Sequence, residues 1–281
     1  MQTAMRSIGG QLRDWRLRRR LSQLALACEA DISARHLSFI ETGRSLPSRD
    51  MVLRLAERLE VPLRERNPLL LAAGYAPVYP ERPLQDPALA AARGVIDLVL
   101  AGHEPYPALA VDRHWTIVAA NGAFSPLLTG IEPTLLHSPA NALRIGLHPA
   151  GLAPRIANFA EWRAHLLARL RRQIDLTGDP VLAGLFNEIS EYPPSLPSPA
   201  RGGGLGWGDG GKFDRPFATA EYDDIVVPLR LTVDGEVLSL ISMTTVFGTP
   251  VDITLSEIAI EAFLPADTAT GEALRRFASA A

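Results

Sequence analysis

The sequence predicts an α+β protein in two parts: an all-α domain of five helices, then an antiparallel sheet domain with flanking helices. Three observations carry that expectation. Residues 8–73 hold apolar positions at helical spacing, interrupted by tight turns. Pro77, Pro80 and Pro83 then break the pattern, each disfavouring helix at the residue before it. Beyond them come two β-like runs, several helical segments and three more β-like runs, an order that suits an antiparallel sheet packed on helices.

Taken in order, the apolar sets of the first part are Ile8, Leu12 and Trp15; Leu24, Ala27 and Cys28; Leu37 and Ile40; and Met51, Leu55 and Leu59. Ser22, Ser33 and Ser48 stand at helix starts, where a hydroxyl oxygen accepts from the unpaired N–H groups of a first turn. A fifth helix is expected over 62–73, ending at Gly74. Residues 1–75 thus read as one domain, 76–86 as an extended linker and 87–281 as a second domain. There, a helix is expected at 87–101 and strands at 108–111 and 115–118 around an Asp112-Arg113 turn. Helices fill 122–192, most clearly 159–174 with Arg163, Arg169, Arg171 and Arg172. Residues 193–213, rich in Pro, Gly and Ser, read as a mobile loop. Strands follow at 224–232, 236–246 and 253–263, with Asp234-Gly235 as a hairpin turn.

Composition is that of a globular protein, 47% hydrophobic and 21% charged. A single cysteine, Cys28, excludes an intrachain disulfide framework and a cysteine-rich zinc site, and is expected as a small core residue. No apolar run approaches the roughly 18 residues that span a bilayer, and the start has no signal-peptide stretch, so a cytoplasmic protein without a membrane partner is expected. The net charge of −3 hides an asymmetry. Residues 1–75 carry thirteen Arg against eight Asp or Glu, a net of +5, which leaves −8 on the rest. A basic first part suits a polyanionic partner.

Residues 21–43 specify that partner. On a wheel of about 100° per residue, a helix over 33–42 gathers Leu37 and Ile40 on one face. Arg35, Ser38, Phe39 and Thr42 lie on or near the other, with His36 at its flank. Such side chains reach base edges when a short helix enters a major groove. Gln23, opening the preceding helix, is placed to meet phosphate. The string Leu21-Ser22-Gln23, Ala27, Ile32-Ser33, Ile40-Glu41-Thr42-Gly43-Arg44 and Pro47-Ser48 resembles the helix-turn-helix family of phage repressors and Cro, the XRE family. The resemblance implies a recognition helix at 33–42 whose base readers are Ser33, Ala34, Arg35 and Phe39, with His36 and Ser38 nearby. It implies phosphate contacts from Gln23 and Arg44, and a structural pair between Arg16 and Glu41. Asp31 replaces a frequent turn glycine, which a left-handed Asp tolerates. Phe39 either meets a thymine methyl or is covered by the second domain. Arg18, Arg19 and Arg20 either touch phosphate or cap the first helix.

In the second part, Ala119-Ala120-Asn121, Asn141-Ala142-Leu143-Arg144, Leu147-His148-Pro149 and residues 158–162 resemble the ligand-binding domain of MmyB-like regulators, as do residues 245–252 and 263–267. The resemblance implies a PAS-like antiparallel sheet, a pocket between sheet and helices, and a small hydrophobic, fatty-acid-like ligand held without a covalent bond. Candidate ligand residues are Trp115, Asn121, Arg144, His148, Trp162 and Phe247. Trp115, Trp162 and Phe247 also suit a core, and Arg144 either meets a ligand carboxylate or pairs with an acidic neighbour. His103, His114, His137, His148 and His165 lack metal-ligand spacing, and the glycines at 202–206 lack the lysine and helix of a phosphate loop. The reading is of a sequence-specific, dimeric DNA-binding regulator of transcription with no cofactor, metal or enzymatic activity. Its rivals are a small-molecule-modifying domain, for which no nucleophile elbow or nucleotide fingerprint is present, and an antitoxin-like domain that binds a protein partner.

Overall fold

In the computed structural model, residues 7–193 and 226–280 are described, so the expected mobile loop at 193–213 lies outside them except for its first residue. The first five helices are α1 (Ile8–Arg18), α2 (Gln23–Glu29), α3 (Ala34–Glu41), α4 (Arg49–Arg58) and α5 (Leu63–Ala72). Next come α6 (Ala90–Gly102), β1 (Ala108–Val111) and β2 (Ile117–Ala120). Four helices follow: α7 (Pro133–Leu136), α8 (Ala142–Leu147), α9 (Phe159–Thr177) and α10 (Pro180–Ser190). The chain closes with β3 (Leu229–Val233), β4 (Glu236–Val246), α11 (Ile253–Ser256), β5 (Ala259–Pro265) and α12 (Thr268–Ala280). These elements fall into two units. The first is Met1–Leu89 with Arg172–Asp179 and Phe247–Glu257; the second is Ala90–Arg171, Pro180–Val246 and Ile258–Ala281.

Capping sets the starts of the first helices. The hydroxyls of Ser7, Ser22, Ser33 and Ser48 accept from the N–H groups of Gly10, Ala25, His36 and Met51. Leu12, Leu26, Leu37, Ile40, Leu55, Leu59, Leu69 and Leu70 fill the helical core completely. The α2 apolar set differs from expectation: Leu24 is 65% exposed and Cys28 is exposed, while Leu26, Ala27 and Ala30 are buried. Leu24 and Cys28 each lie two residues, about 200°, from Leu26, so one face cannot bury them together. The turn into α3 is made by Asp31 at φ 54°. Gly9 lets α1 reach the end of α3, since a Cβ there would stand 2.3 Å from the Ile40 carbonyl oxygen and 2.7 Å from that of Glu41.

The Pro-rich segment is extended and tied down. The Asn67 side chain of α5 accepts from the N–H groups of Val78 and Tyr79 and donates to the Tyr79 carbonyl. Within the same unit Arg64 holds Glu257 through two bonds of 2.8 and 2.9 Å and Glu81 at 2.6 Å. Arg82 reaches Asp252 at 2.9 Å, and the Ile253 N–H donates to the Pro80 carbonyl.

The second unit carries one antiparallel sheet in the order β2-β1-β5-β4-β3. β1 lies between β2 and β5 with all four of its residues buried. Asp234 and Gly235 both take positive φ, 49° and 85°, the paired left-handed conformation of a tight hairpin between β3 and β4. Three strands differ from expectation. β2 begins at Ile117 rather than 115, because Trp115, at φ 67°, still belongs to the preceding turn. β3 begins at Leu229 rather than 224, with 224 and 225 outside the described residues. The run 253–263 divides into α11, capped by the Asp252 carboxylate on the Thr254 N–H, and β5.

Candidate nucleic-acid interface and ligand cavity

α3 separates its two faces as its sequence requires. Leu37, Ile40 and Glu41 are buried, while Ser33, Arg35, Thr42 and Arg44 are exposed and Ala34, His36, Ser38 and Phe39 half-buried. The eight expected DNA-facing residues therefore include none that is sealed in the core. The guanidinium carbons of Arg35 and Arg44 stand 5.4 and 5.9 Å from the centre of the Phe39 ring, within cation–π range. The ring thus supports both arginines.

Behind this face lies the expected pair. Arg16 donates to both carboxylate oxygens of Glu41, at 2.7 and 2.9 Å, and to the Leu21 carbonyl at 2.8 Å, with both side chains buried. Gln23 joins them, its amide nitrogen 2.7 Å from Glu41, so one of its donors is used inside the protein. Burial pushes the Glu41 carboxyl up, but the hydrogen bonds from Arg16 and Gln23 and the Arg16 charge outweigh it, holding the group below the usual carboxylate range. Of the arginine run, Arg19 caps α4, bonding the Leu59 and Glu60 carbonyls at 2.8 Å each. Arg18 and Arg19 both lie over the Trp15 ring.

The second unit holds an apolar cavity of about 70 Å³ between its sheet and helices. Leu109, Ser242, Glu261 and Phe263 line it from the strands, Leu143 and Gly146 from α8, and Trp162, Leu166 and Arg169 from α9, with Trp115 from a turn and Phe124 from the short 3-10 helix Gly122–Leu128. Trp115 and Trp162 are at once core, 7% and 4% exposed, and cavity wall. Arg169 lies with its guanidinium carbon 4.6 Å from the Trp115 ring centre and donates to both oxygens of buried Glu261, at 2.9 and 2.5 Å. Thr244 adds a third bond to Glu261 at 3.0 Å.

The other expected ligand residues are not among those that line this cavity. Asn121 is spent on structure: its amide donates to the Leu100 and Tyr106 carbonyls and its oxygen accepts from the Ala108 N–H. Arg144 has the acidic neighbour, donating twice to Glu188 at 2.7 Å, while Tyr192 donates to the same carboxylate at 2.6 Å. The hydrogen bonds from Arg144 outweigh burial and hold Glu188 below its ordinary range. His148 accepts from the Ala150 N–H and meets the Tyr192 ring edge-on. Phe247 follows the end of β4, is half-buried, and belongs to the first unit. The residues missed were Arg169 and Glu261. Helical phase could have shown the first, since α9 buries Trp162, Leu166 and Leu170 and Arg169 adjoins that stripe. A lone carboxylate within Ala259–Pro265, an otherwise uncharged run, was the signal for the second. Among the described residues no group of His, Cys, Asp or Glu could hold a metal ion, and no helix is long and apolar enough to cross a membrane.

Two known families match the chain. Residues 92–277 match the profile described as the MmyB-like transcription regulator ligand binding domain, and residues 7–69 match that of a helix-turn-helix domain. No curated protein matches the chain.

Proposed function

The chain belongs to the MmyB-like transcription regulators, a DNA-binding protein with a ligand-sensing domain, and from this we propose that α3 reads an operator while the apolar cavity receives the signal. The observation that carries the first half is the outward face of α3, where Arg35 is exposed beside Ser38 and Phe39 and the helix's one acid, Glu41, is buried behind them. Ser33, Ala34, Arg35, His36, Ser38 and Phe39 face bases; Gln23 and Arg44 flank them toward phosphate. Gln23 keeps its carbonyl oxygen and second N–H for that contact while its first N–H anchors on Glu41. The protein acts as a homodimer, each helix reading a half-site about one helical turn from the other.

The ligand is small and hydrophobic, with an acyl-like chain. A cavity of about 70 Å³ is roughly half the ~150 Å³ that accepts benzene in a dry protein interior. A chain therefore enters only as the walls move apart, and that movement is what couples binding to state. The ligand shifts the equilibrium only by its difference in affinity for the two states.

The test begins with selection of bound duplexes from a random pool, followed by titration of the selected duplex. Arg35→Ala should lose roughly 5- to 150-fold in affinity, the worth of a good base contact, and relax preference at one base pair. Gln23→Ala should weaken all duplexes by a similar factor. Titrations unchanged in both variants would remove α3 as the reading surface.

A further inference from the structure

The cavity's polar wall is a closed ion pair. Arg169 and Glu261 are the charged residues lining it, and they neutralise each other through two hydrogen bonds. Arg169 has a further bond to Thr244 and packs over Trp115, so both its charge and its position are committed. Glu261 is buried and triply bonded, by Arg169 twice and Thr244 once. Ser242 lines the same cavity, and its hydroxyl can both donate and accept.

We infer that the cavity takes a ligand whose polar end is uncharged, such as an alcohol, ester, ketone or lactone, and that the Arg169–Glu261 pair excludes ionised ligands. The inference rests on the reading of this cavity as the ligand site and specifies its substrate class. A ligand carboxylate would share a low-dielectric space with the Glu261 carboxylate, and two such anions cannot both remain ionised there without cost. To gain Arg169 it would first have to break the bidentate pair and leave Glu261 buried without its partner. An ammonium meets the converse difficulty at Arg169. A neutral oxygen disturbs neither charge and finds a donor and acceptor in Ser242.

The experiment uses the full chain and four probes of equal chain length: 1-octanol, methyl octanoate, octanoate and octylammonium. Binding is followed by titration calorimetry and by tryptophan fluorescence, since Trp115 and Trp162 line the cavity. The neutral probes should bind at least tenfold tighter than either ion at neutral pH. Glu261→Gln should tighten octanoate at least tenfold relative to octanol, because it leaves the Arg169 charge uncompensated. Ser242→Ala should weaken octanol while leaving the weak binding of octanoate unmoved. Octanoate binding to the unaltered chain as tightly as octanol overturns the inference while leaving the ligand site standing. If no probe binds, or if filling the cavity with Leu166→Trp leaves all binding unchanged in a folded variant, the ligand-site reading falls and the inference with it. The ranking on the unaltered chain decides the matter even where a variant fails to fold.

Discussion

Arg16 is held from three directions, by two bonds to Glu41 and one to the Leu21 carbonyl, and this makes it a sharp test of the helical domain. Removing one partner of a buried pair strands the other, at about 3–5 kcal/mol. Arg16→Met should therefore lower the urea midpoint strongly, and adding Glu41→Leu should restore part of the loss, because a paired apolar replacement leaves no orphaned charge. The pH dependence has a definite sign. The folded Glu41 pKa lies below the ordinary 4.5, so its contribution is present above that value and is lost as pH falls below it. Urea midpoints measured from neutral pH downward should decline less steeply in that acid range for Glu41→Gln than for the unaltered chain. This pair was legible from the resemblance alone. For Arg144 an acidic neighbour was one of two expectations, but which acid was not legible, because Glu188 lies 44 positions away and no local pattern marks two residues as neighbours in space. Gln23 was legible only in part: its place at the start of α2 was clear, but its bond to Glu41 depends on how α2 and α3 cross.

Helix crossings turn on small residues in the same way. Gly9 sits in α1 where the backbone of α3 passes, and its missing Cβ leaves room for the Ile40 and Glu41 carbonyls. Gly9→Ala would ordinarily favour a helix by up to about 1 kcal/mol. Here it should instead destabilise the domain and shift α3, which differential scanning calorimetry and a loss of operator affinity would both register. An unchanged melting temperature would contradict the close approach. The first helices were readable from sequence because two or three apolar positions per element repeat at one period, and Ser caps fix the starts of α1 to α4. α2 was the exception: with only seven residues, Gln23–Glu29, its buried pair Leu26 and Ala27, continued by the C-cap Ala30, could not be told from Leu24 and Cys28 by period alone. The run at 253–263 misled for another reason. Its apolar residues continue through both α11 and β5, and only the capping carboxylate of Asp252 marks the first four as a helical turn.

Across the whole molecule the uneven charge, +5 on residues 1–75 against −8 beyond them, directs the polyanion to one part. Operator affinity should fall linearly on logarithmic axes as salt rises, with a slope of roughly −0.9 for each phosphate neutralised. Arg44→Ala should reduce that slope by about one; an unaltered slope would take Arg44 out of the phosphate contacts. Composition and order were enough to foresee two parts, but not which residues each part recruits. The chain leaves and re-enters the first unit at Arg172–Asp179 and Phe247–Glu257, well beyond the Pro-rich segment. Residues 1–89 produced alone should therefore melt below the same residues in the full chain, having lost Glu257 from Arg64 and Asp252 from Arg82. Equal melting would show that these segments add nothing. The interleaving bears on how such regulators can be recombined. A reader grafted onto a foreign sensor by a single splice at the prolines inherits a surface cut to fit another protein's loops. A working hybrid must transplant 247–257 together with the reader, so new specificities in this family are easier to reach by altering the face of α3 than by exchanging whole heads.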